Sequence, residues 1–522
     1  MRTRAKSGFC IPKRLFLATT STSAISPIPP TYHSALKDPN WLQAMRDEFN
    51  ALMMNSTWSL VPKPAGVNVV TGKWIFHHKF NPDRSLAPYK VRWVVRGFTQ
   101  QEGVDYGETF SPVVKPATIR IVLSIATSSA WPIHQLDVKN AFLHGDLKET
   151  VYCAQPSGFI DSSRPDHVCL LRKSLYGLKQ TPRTWFHRFQ AFLLTLSFRA
   201  SKSDSSLFIL THGTSLAYLL VYVDDIILTA STPHTLHHII NSLKRGFSMT
   251  DMGELHHFLG INVNPNASGL FLSQHQYTLE ILDRANMLHC KPVSTPVDTT
   301  AKLSSSSGDP LPNPTTYRSI AGALQYLTLT HPDISYAVQR ICLFMHEPRA
   351  SHMQLVKRVL CYLRGTSHFG LQLYKASSLD LVAYTDADWS GCPDTRRSTS
   401  GFCVYLGQNM ISCFSKRQPT VSRSSAEAEY RGVANCVAES CWICQLLYEL
   451  RRPPSHAPVP PISQPIQYNI SAPNMLRSTF TLFAIELLLV KSGFFTSHRA
   501  RSLWISSPRD CPHRSTRSLG PA

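Results

Sequence analysis

The chain has 522 residues, enough for three or four domains that each bury a core, and 43% of them are hydrophobic, an ordinary globular proportion. Its 53 Lys and Arg outnumber 33 Asp and Glu for a formal charge of +20, which points to a polyanionic partner, nucleic acid first and a membrane surface second. The 13 cysteines lack regular spacing, which argues against a secreted disulfide framework, and no apolar run reaches bilayer length, since the longest, Thr479 to Val490, carries Glu486. Cys441 and Cys444 are the one close pair and read as one face of a helix rather than as a zinc site.

Residues 1–36 carry Arg2, Arg4, Lys6, Lys13 and Arg14 and no acid, a composition that suits a disordered basic tail or an organelle transit peptide. Asp38 and Pro39 read as N-cap and first residue of an amphipathic helix to Asn55, with Trp41, Met45, Phe49 and Leu52 on one face. Lys73 to Lys79 and Tyr89 to Phe98 alternate as paired strands around a turn at Asn81 to Arg84. Lys79, Lys90, Arg92 and Arg96 make that hairpin either a cationic finger or a solvated charged face. Thr118 to Ala130 reads as a helix. A short apolar strand from Ile133 then delivers Asp137 at its end, followed by Val138 and Phe142. Tyr176 precedes Gly177, which frees a turn, and a helix runs from Thr184 to Leu196.

The stretch Leu216 to Ala230 places Asp224 and Asp225 between two apolar arms, Leu219 to Val223 and Ile226 to Leu228. Each arm reads as a buried strand, so the acidic pair belongs at the tip of a hairpin. Like charges there repel and resist desolvation unless a cation neutralises them, and oxygen-only ligands suit Mg²⁺. A solvated acidic turn is the simpler alternative, and Asp137, a third carboxylate at a strand end, tells against it.

Pro233 to Met249 then reads as a helix, Leu259 to Ile261 and Leu270 to Leu272 as a smaller hairpin turning at Asn264 to Asn266, and Tyr277 to Met287 as a helix. Ser304 to Pro314 is a Ser/Pro/Gly linker. Tyr317 to Leu327, Ile334 to Met345 and His352 to Gly365 are helical. An α/β unit begins at Leu381 with a strand ending on Asp386, strands Gly401 to Leu406 and Ile411 to Ser415, and a helix Ser424 to Leu450 that carries Glu427 and Glu429. Beyond Leu450, Glu486 and Asp510 are the last acids.

These strings resemble the polymerase of copia-type long-terminal-repeat retrotransposons, plant ones especially. Tyr222-Val223-Asp224-Asp225 looks like the Y-x-D-D box of reverse transcriptases, and Asp137-Val138 with Ala141-Phe142 looks like their first palm motif. Lys73-Trp74, Tyr89 to Arg92, Gly97 to Gln100, Glu108 to Pro112 and Ser174 to Gln180 match in order, and the likeness runs from about residue 34 to residue 450. It implies an α+β right-hand polymerase, with fingers, ferredoxin-like palm and helical thumb over residues 37–300. A linker and helical connection would span 301–375 and an incomplete ribonuclease H-like core 376–450, flanked by the basic tail 1–36 and a degenerate tail 451–522.

The same resemblance implies roles. Asp137, Asp224 and Asp225, with Val138, would hold two Mg²⁺ ions, Mn²⁺ being an accepted substitute. Lys90 and Arg92 would face the triphosphate, Phe142 would block a ribose 2′-hydroxyl or else serve as a core aromatic, and Tyr176 and Gly177 would line the template and incoming nucleotide. Leu259 and Gly260 resemble the primer-gripping hairpin, and Lys244, His256 and His257 are nearby candidates for a general acid. The partners would be a primed RNA or DNA template and deoxynucleoside triphosphates, with no membrane and an open oligomeric state, in the cytoplasm within virus-like particles. With no protease or integrase portion recognisable, the chain reads as a stretch of a polyprotein starting near its polymerase.

The unit from Leu381 resembles the family's ribonuclease H. Asp386 matches its first catalytic position and Glu429 its second, while Glu427 reads as a solvated first-turn acid at the positive end of the helix dipole. Gln467 to Ala472 resembles the string holding the third carboxylate, but Tyr468 stands in the acid's place, and the sequence after Ala472 reads as out of frame, without the fourth. The expectation is an RNA-directed DNA polymerase with ribonuclease H activity lost. The alternative is a catalytically inactive remnant that only binds nucleic acid.

Overall fold

The computed structural model describes residues 25–80, 86–298, 303–376 and 378–456. The basic residues at the start of the chain, the hairpin tip at Asn81 to Arg84, and the C-terminal tail from residue 457, Tyr468 included, lie outside the described residues. Two compact units form, one from the chain up to Ser111 together with Ala141–Arg188, the other from Pro112–Asn140 together with the chain from Phe189 onward.

In the first unit the helix Pro39–Met54 starts where Asp38 accepts the backbone N–H groups of Asn40 and Trp41, at 2.9 and 3.2 Å. It buries Trp41, Met45 and Leu52 in one core with Trp74, Val91, Trp93 and Val95 of the antiparallel hairpin Gly72–Phe80 and Leu86–Val95. The second strand stops at Val95 rather than reaching Phe98. A short turn, Gly97–Thr99, follows, and its first residue must be glycine because a Cβ on Gly97 would stand 2.0 Å from the Gly177 carbonyl oxygen. A small sheet ordered Trp58–Pro62, His167–Leu171, Tyr152–Cys153, Val69–Val70 completes the unit.

The second unit is built on a six-stranded antiparallel sheet. Its order is Met249–Glu254, Ile133–Val138, Asp225–Ala230, Ser215–Tyr222, Leu207–His212 and Arg199–Ala200. The central arms are buried on both faces, which is why they read as continuous apolar runs. The helix Pro116–Ser128 is mostly apolar and buried from Ala117 to Thr127, sharing one core with Tyr218, Leu220 and Ile227 of the sheet. Its one charge, Arg120, donates to the Ile411 and Leu329 carbonyls at 3.0 and 2.7 Å.

Two later boundaries also differ from the sequence expectation. The helix from Pro233 ends at Gly246, where a Cβ would strike the Phe192 ring at 2.4 Å, and Met249–Glu254 becomes the edge strand beside Ile133–Val138. The smaller hairpin turns after Asn266, not at Asn264 to Asn266, and Pro265 lies within the strand Ile261–Asn266 opposite Leu270 of Gly269–Ser273. Strand His257–Phe258 pairs only as far as Asn262, so Pro265 sits on an open edge where a missing donor breaks no ladder bond.

The helices His275–Arg284, Pro314–Leu327, Ser335–Cys342 and Ala350–Thr366 share a second core. Beyond them come the strands Leu381–Asp388, Thr399–Leu406 and Asn409–Arg417, a three-stranded antiparallel sheet, and the helix Ser425–Glu449. Among the described residues no helix is long and apolar enough to cross a membrane.

Candidate polymerase site

Asp225 opens its strand directly opposite Asp137, and Tyr222 pairs with Asp225 across a two-residue turn of Val223 and Asp224. Directly opposed antiparallel residues hold their Cβ atoms about 4.5–5.5 Å apart. The three carboxylates therefore collect at adjacent strand ends, and the Val138 N–H donates to the Asp224 carbonyl at 3.0 Å, tying the turn to the neighbouring strand. Val223 takes a left-handed φ of 57°, a conformation a β-branched residue adopts only under constraint.

The electrostatics follow from the crowding. Burial raises the Asp225 carboxyl above its ordinary range, Asp224 and Asp137 push it further, and Gln135 and His257 act against them. Gln135 Nε2 donates to Asp225 Oδ1 at 3.4 Å, a contact that sequence reasoning missed although Gln135 lies two residues before Asp137 on the same strand face. Among the described residues no three Asp, Glu, His or Cys side chains converge tightly enough to cage an ion as they stand. Of the general-acid candidates, His257 bonds Asn262 Oδ1 at 2.9 Å, His256 bonds the Glu254 carbonyl at 2.9 Å, and Lys244 pairs with Asp251 at 4.0 Å.

Leu259 and Gly260 form the turn between His257–Phe258 and Ile261–Asn266, with φ of 50° and 66°. They are turn residues rather than part of a strand.

In the first unit the structure gathers Arg92, Tyr176, Phe142 and Gly177. The Arg92 guanidinium lies 3.9 Å over the Tyr176 ring, and Phe142 meets that ring edge-on at 5.2 Å. Phe142 is half-buried, and its carbonyl accepts the Ser174 hydroxyl. Lys90 lies exposed two residues before Arg92 on the same strand face, and both cations act on the half-buried Glu48, whose carboxyl desolvation nonetheless pushes up. The Tyr176 carbonyl accepts the Val95 N–H at 2.7 Å. Gly177 has φ of 97°, and a Cβ there would stand 2.0 Å from the Val95 oxygen. Gly177→Ala is therefore expected to lower stability by about 3 kcal/mol or more, measured as an earlier thermal transition. An unchanged melt would mean that the Val95–Tyr176 contact yields without penalty.

Residues 55–299 match the reverse transcriptase (RNA-dependent DNA polymerase) family. The chain is 51% identical over 460 residues to the retrovirus-related Pol polyprotein from transposon RE2 of Arabidopsis thaliana, covering 88% of this chain and 32% of that relative. It is likewise 51% identical over 459 residues to that from transposon RE1 of the same plant, covering 87% and 31%. A putative transposon Ty5-1 protein of Saccharomyces cerevisiae matches at 32% identity over 307 residues, 58% of this chain and 100% of that protein. The chain belongs to the copia-type retrotransposon Pol family. It spans about a third of the length of the two plant relatives, at 32% and 31%.

In this Pol chain the carboxylates of the 376–450 region are also placed. Asp386, near the end of its strand, and Glu429, on the helix facing it, are both half-buried. Burial raises both carboxyls, and Asp386 raises Glu429 further. Gly432 lets the helix approach, since a Cβ there would be 3.0 Å from Thr385 Oγ1. Glu427 instead pairs with Arg431 at 2.6 Å and accepts the Arg423 N–H at 2.7 Å, which holds its carboxyl low.

Proposed function

We propose that this chain is an RNA-directed DNA polymerase that joins a deoxynucleotide to a primer 3′ end on an RNA or DNA template, the six-stranded sheet being the palm of a right-hand polymerase. The observation that carries the reading is the cross-strand pairing of Asp137 with Asp225, with Asp224 in the adjoining turn. This is an all-oxygen donor set, which suits Mg²⁺ and accepts Mn²⁺, and Asp225, raised by burial first and then by Asp224 and Asp137, carries a charge that a divalent ion would stabilise. Asp137, Val138, Asp224 and Asp225 would hold two such ions, which when bound supply activation of the attacking hydroxyl and charge neutralisation at the leaving pyrophosphate.

The chain's own residues do the rest by positioning. The constrained Val223 turn sets where Asp224 points. The Arg92 guanidinium is already ordered on Tyr176, with Lys90 two residues before it, and these are the cations that would take the triphosphate. Phe142, braced against Tyr176, restricts the 2′ position of the incoming sugar. The Leu259–Gly260 turn bears on the primer. In the 376–450 region, Asp386 and Glu429 are two of the four carboxylates that hybrid-strand cleavage uses, and Tyr468 stands where a third belongs, so that activity is lost. The setting is the cytoplasm, in virus-like particles.

The test is nucleotide incorporation on primed RNA by the purified chain in Mg²⁺, against Asp224→Asn. Incorporation by the wild-type chain alone is expected, together with no cleavage of the RNA in an RNA–DNA hybrid. Equal incorporation by both chains removes the polymerase reading, and robust hybrid cleavage removes the loss of ribonuclease H.

A further inference from the structure

The turn at Leu259 and Gly260 is held from outside its own hairpin. Both residues have left-handed φ, 50° and 66°, a pairing that glycine and asparagine accept and leucine resists. Such a turn keeps its shape when something fixes it, and here the Tyr326 hydroxyl donates to the Leu259 carbonyl. The same hydroxyl is the nearest group to Gly260, 3.9 Å from where a Cβ would stand.

Tyr326 is well anchored for this. It is the penultimate residue of the helix Pro314–Leu327, which is capped by Asn313 accepting the Thr315 N–H at 3.0 Å. The buried Tyr317 of that helix donates to the Ile341 carbonyl at 2.8 Å, and Leu324 and Leu327 are fully buried in the four-helix core. The Tyr326 ring meets Tyr277 edge-on at 5.5 Å. Its hydroxyl also lies within electrostatic reach of Tyr222 and Asp225. Burial first, and these neighbours with Tyr277, push its ionisation up to about 12, so it stays a donor at any working pH. A helix that follows the acidic hairpin by about ninety positions in the sequence thus bonds the turn and brings the same hydroxyl within electrostatic reach of that hairpin.

We infer that Tyr326 is a positioning residue that fixes the Leu259–Gly260 turn relative to the Tyr222–Asp225 hairpin, and so sets where a primer terminus lies against the palm carboxylates. The inference rests on the polymerase reading for its consequence and on the hydrogen bond for its cause. Loss of the bond should loosen the turn without touching the carboxylates, so the effect falls on engagement of the primed template rather than on the chemical step.

The experiment compares the full chain with Tyr326→Phe and Tyr326→Leu in primer extension and in hydrogen exchange. Tyr326→Phe is expected to raise KM for primed template about fivefold, the worth of one hydrogen bond, with kcat at saturating template within about twofold. The amides of residues 258–263 should exchange faster in the same variant. Phe at wild-type KM and wild-type exchange, with loss only in the Leu variant, would reduce Tyr326 to ring packing and overturn the inference. A fall in kcat at constant KM would also overturn it, by placing the residue at the chemical step. A wild-type chain that extends no primer counts against the polymerase reading alone, and the exchange comparison then still decides whether Tyr326 holds the turn.

Discussion

Asp225→Asn is expected to make the metal-free chain melt at a higher temperature while reducing primer extension by on the order of 10³-fold or more. The two effects have one source. Asp225 is raised above its ordinary 3.8 by burial first and then by Asp224 and Asp137, so the fold disfavours the charge that the chemistry needs. Because the folded-state pKa is the higher one, the folded chain binds the proton more tightly than the unfolded chain. Stability from this group is greatest below 3.8, falls as pH rises through 3.8 toward the raised value, and stays at its lower level above it. The neutral Asn lacks this loss and retains an oxygen to accept from Gln135 Nε2. Scanning calorimetry of both chains across pH should therefore show a small gap in acid and a full gap at neutral pH. Added Mg²⁺ should narrow the gap by raising the wild-type melt. A variant that melts lower than wild type at neutral pH without metal would mean that the carboxylates do not repel and that the site is not built for cations.

How far the sequence speaks for itself differs by element. The acidic hairpin was legible because two long apolar arms leave one place to turn, but its register was not: the turn residues are Val223 and Asp224, and Asp225 already pairs with Tyr222 as the first residue of its strand. The helix at Asp38 was legible through its cap, and the strand delivering Asp137 through its apolar run. Met249–Glu254 was not, because Thr250, Asp251 and Glu254 carry none of the alternation that marks a half-buried strand, and its pairing with Ile133–Val138 is tertiary. The Trp58–Pro62 and His167–Leu171 pair escaped for a related reason, being short strands brought together over a long separation. Gly177 signalled a turn, but not that its flexibility serves the close approach to Val95. Gln135 and Tyr326 reach the site only through pairing and packing, which no local motif encodes.

The region from residue 376 is expected to be indispensable to the fold of the six-stranded sheet. A chain ending at residue 375 should fail to give a soluble, cooperatively melting palm. The last turns of the helix Ser425–Glu449 lie on the edge of the central sheet. There the Glu449 carboxylate accepts the backbone N–H groups of Lys202 and Ser203 and the Ser203 hydroxyl, at 2.9, 3.1 and 2.7 Å. Tyr218, on the strand leading to the acidic turn, donates its hydroxyl to the Leu450 carbonyl at 2.7 Å, and Trp442 Nε1 donates to the Ser203 carbonyl at 2.9 Å.

Ile443, Leu446, Leu447 and Leu450 are fully buried in the same core as Leu207, Tyr218 and Ile227. Burying four such side chains contributes on the order of 6–12 kcal/mol, as large as the net stability of a typical domain. Cutting at residue 375 also strips the Ile411 carbonyl from Arg120, leaving a guanidinium inside the apolar helix Pro116–Ser128 with one of its two carbonyl acceptors gone. In the full chain, Glu449→Ala should lower stability by about 2–3 kcal/mol through the loss of three hydrogen bonds, without touching any palm carboxylate. A truncated chain that stays soluble and melts like the full one would show that the sheet carries itself. Failure of the truncation together with a destabilised Glu449→Ala would mean that the helix Ser425–Glu449 is a structural part of the six-stranded sheet's core.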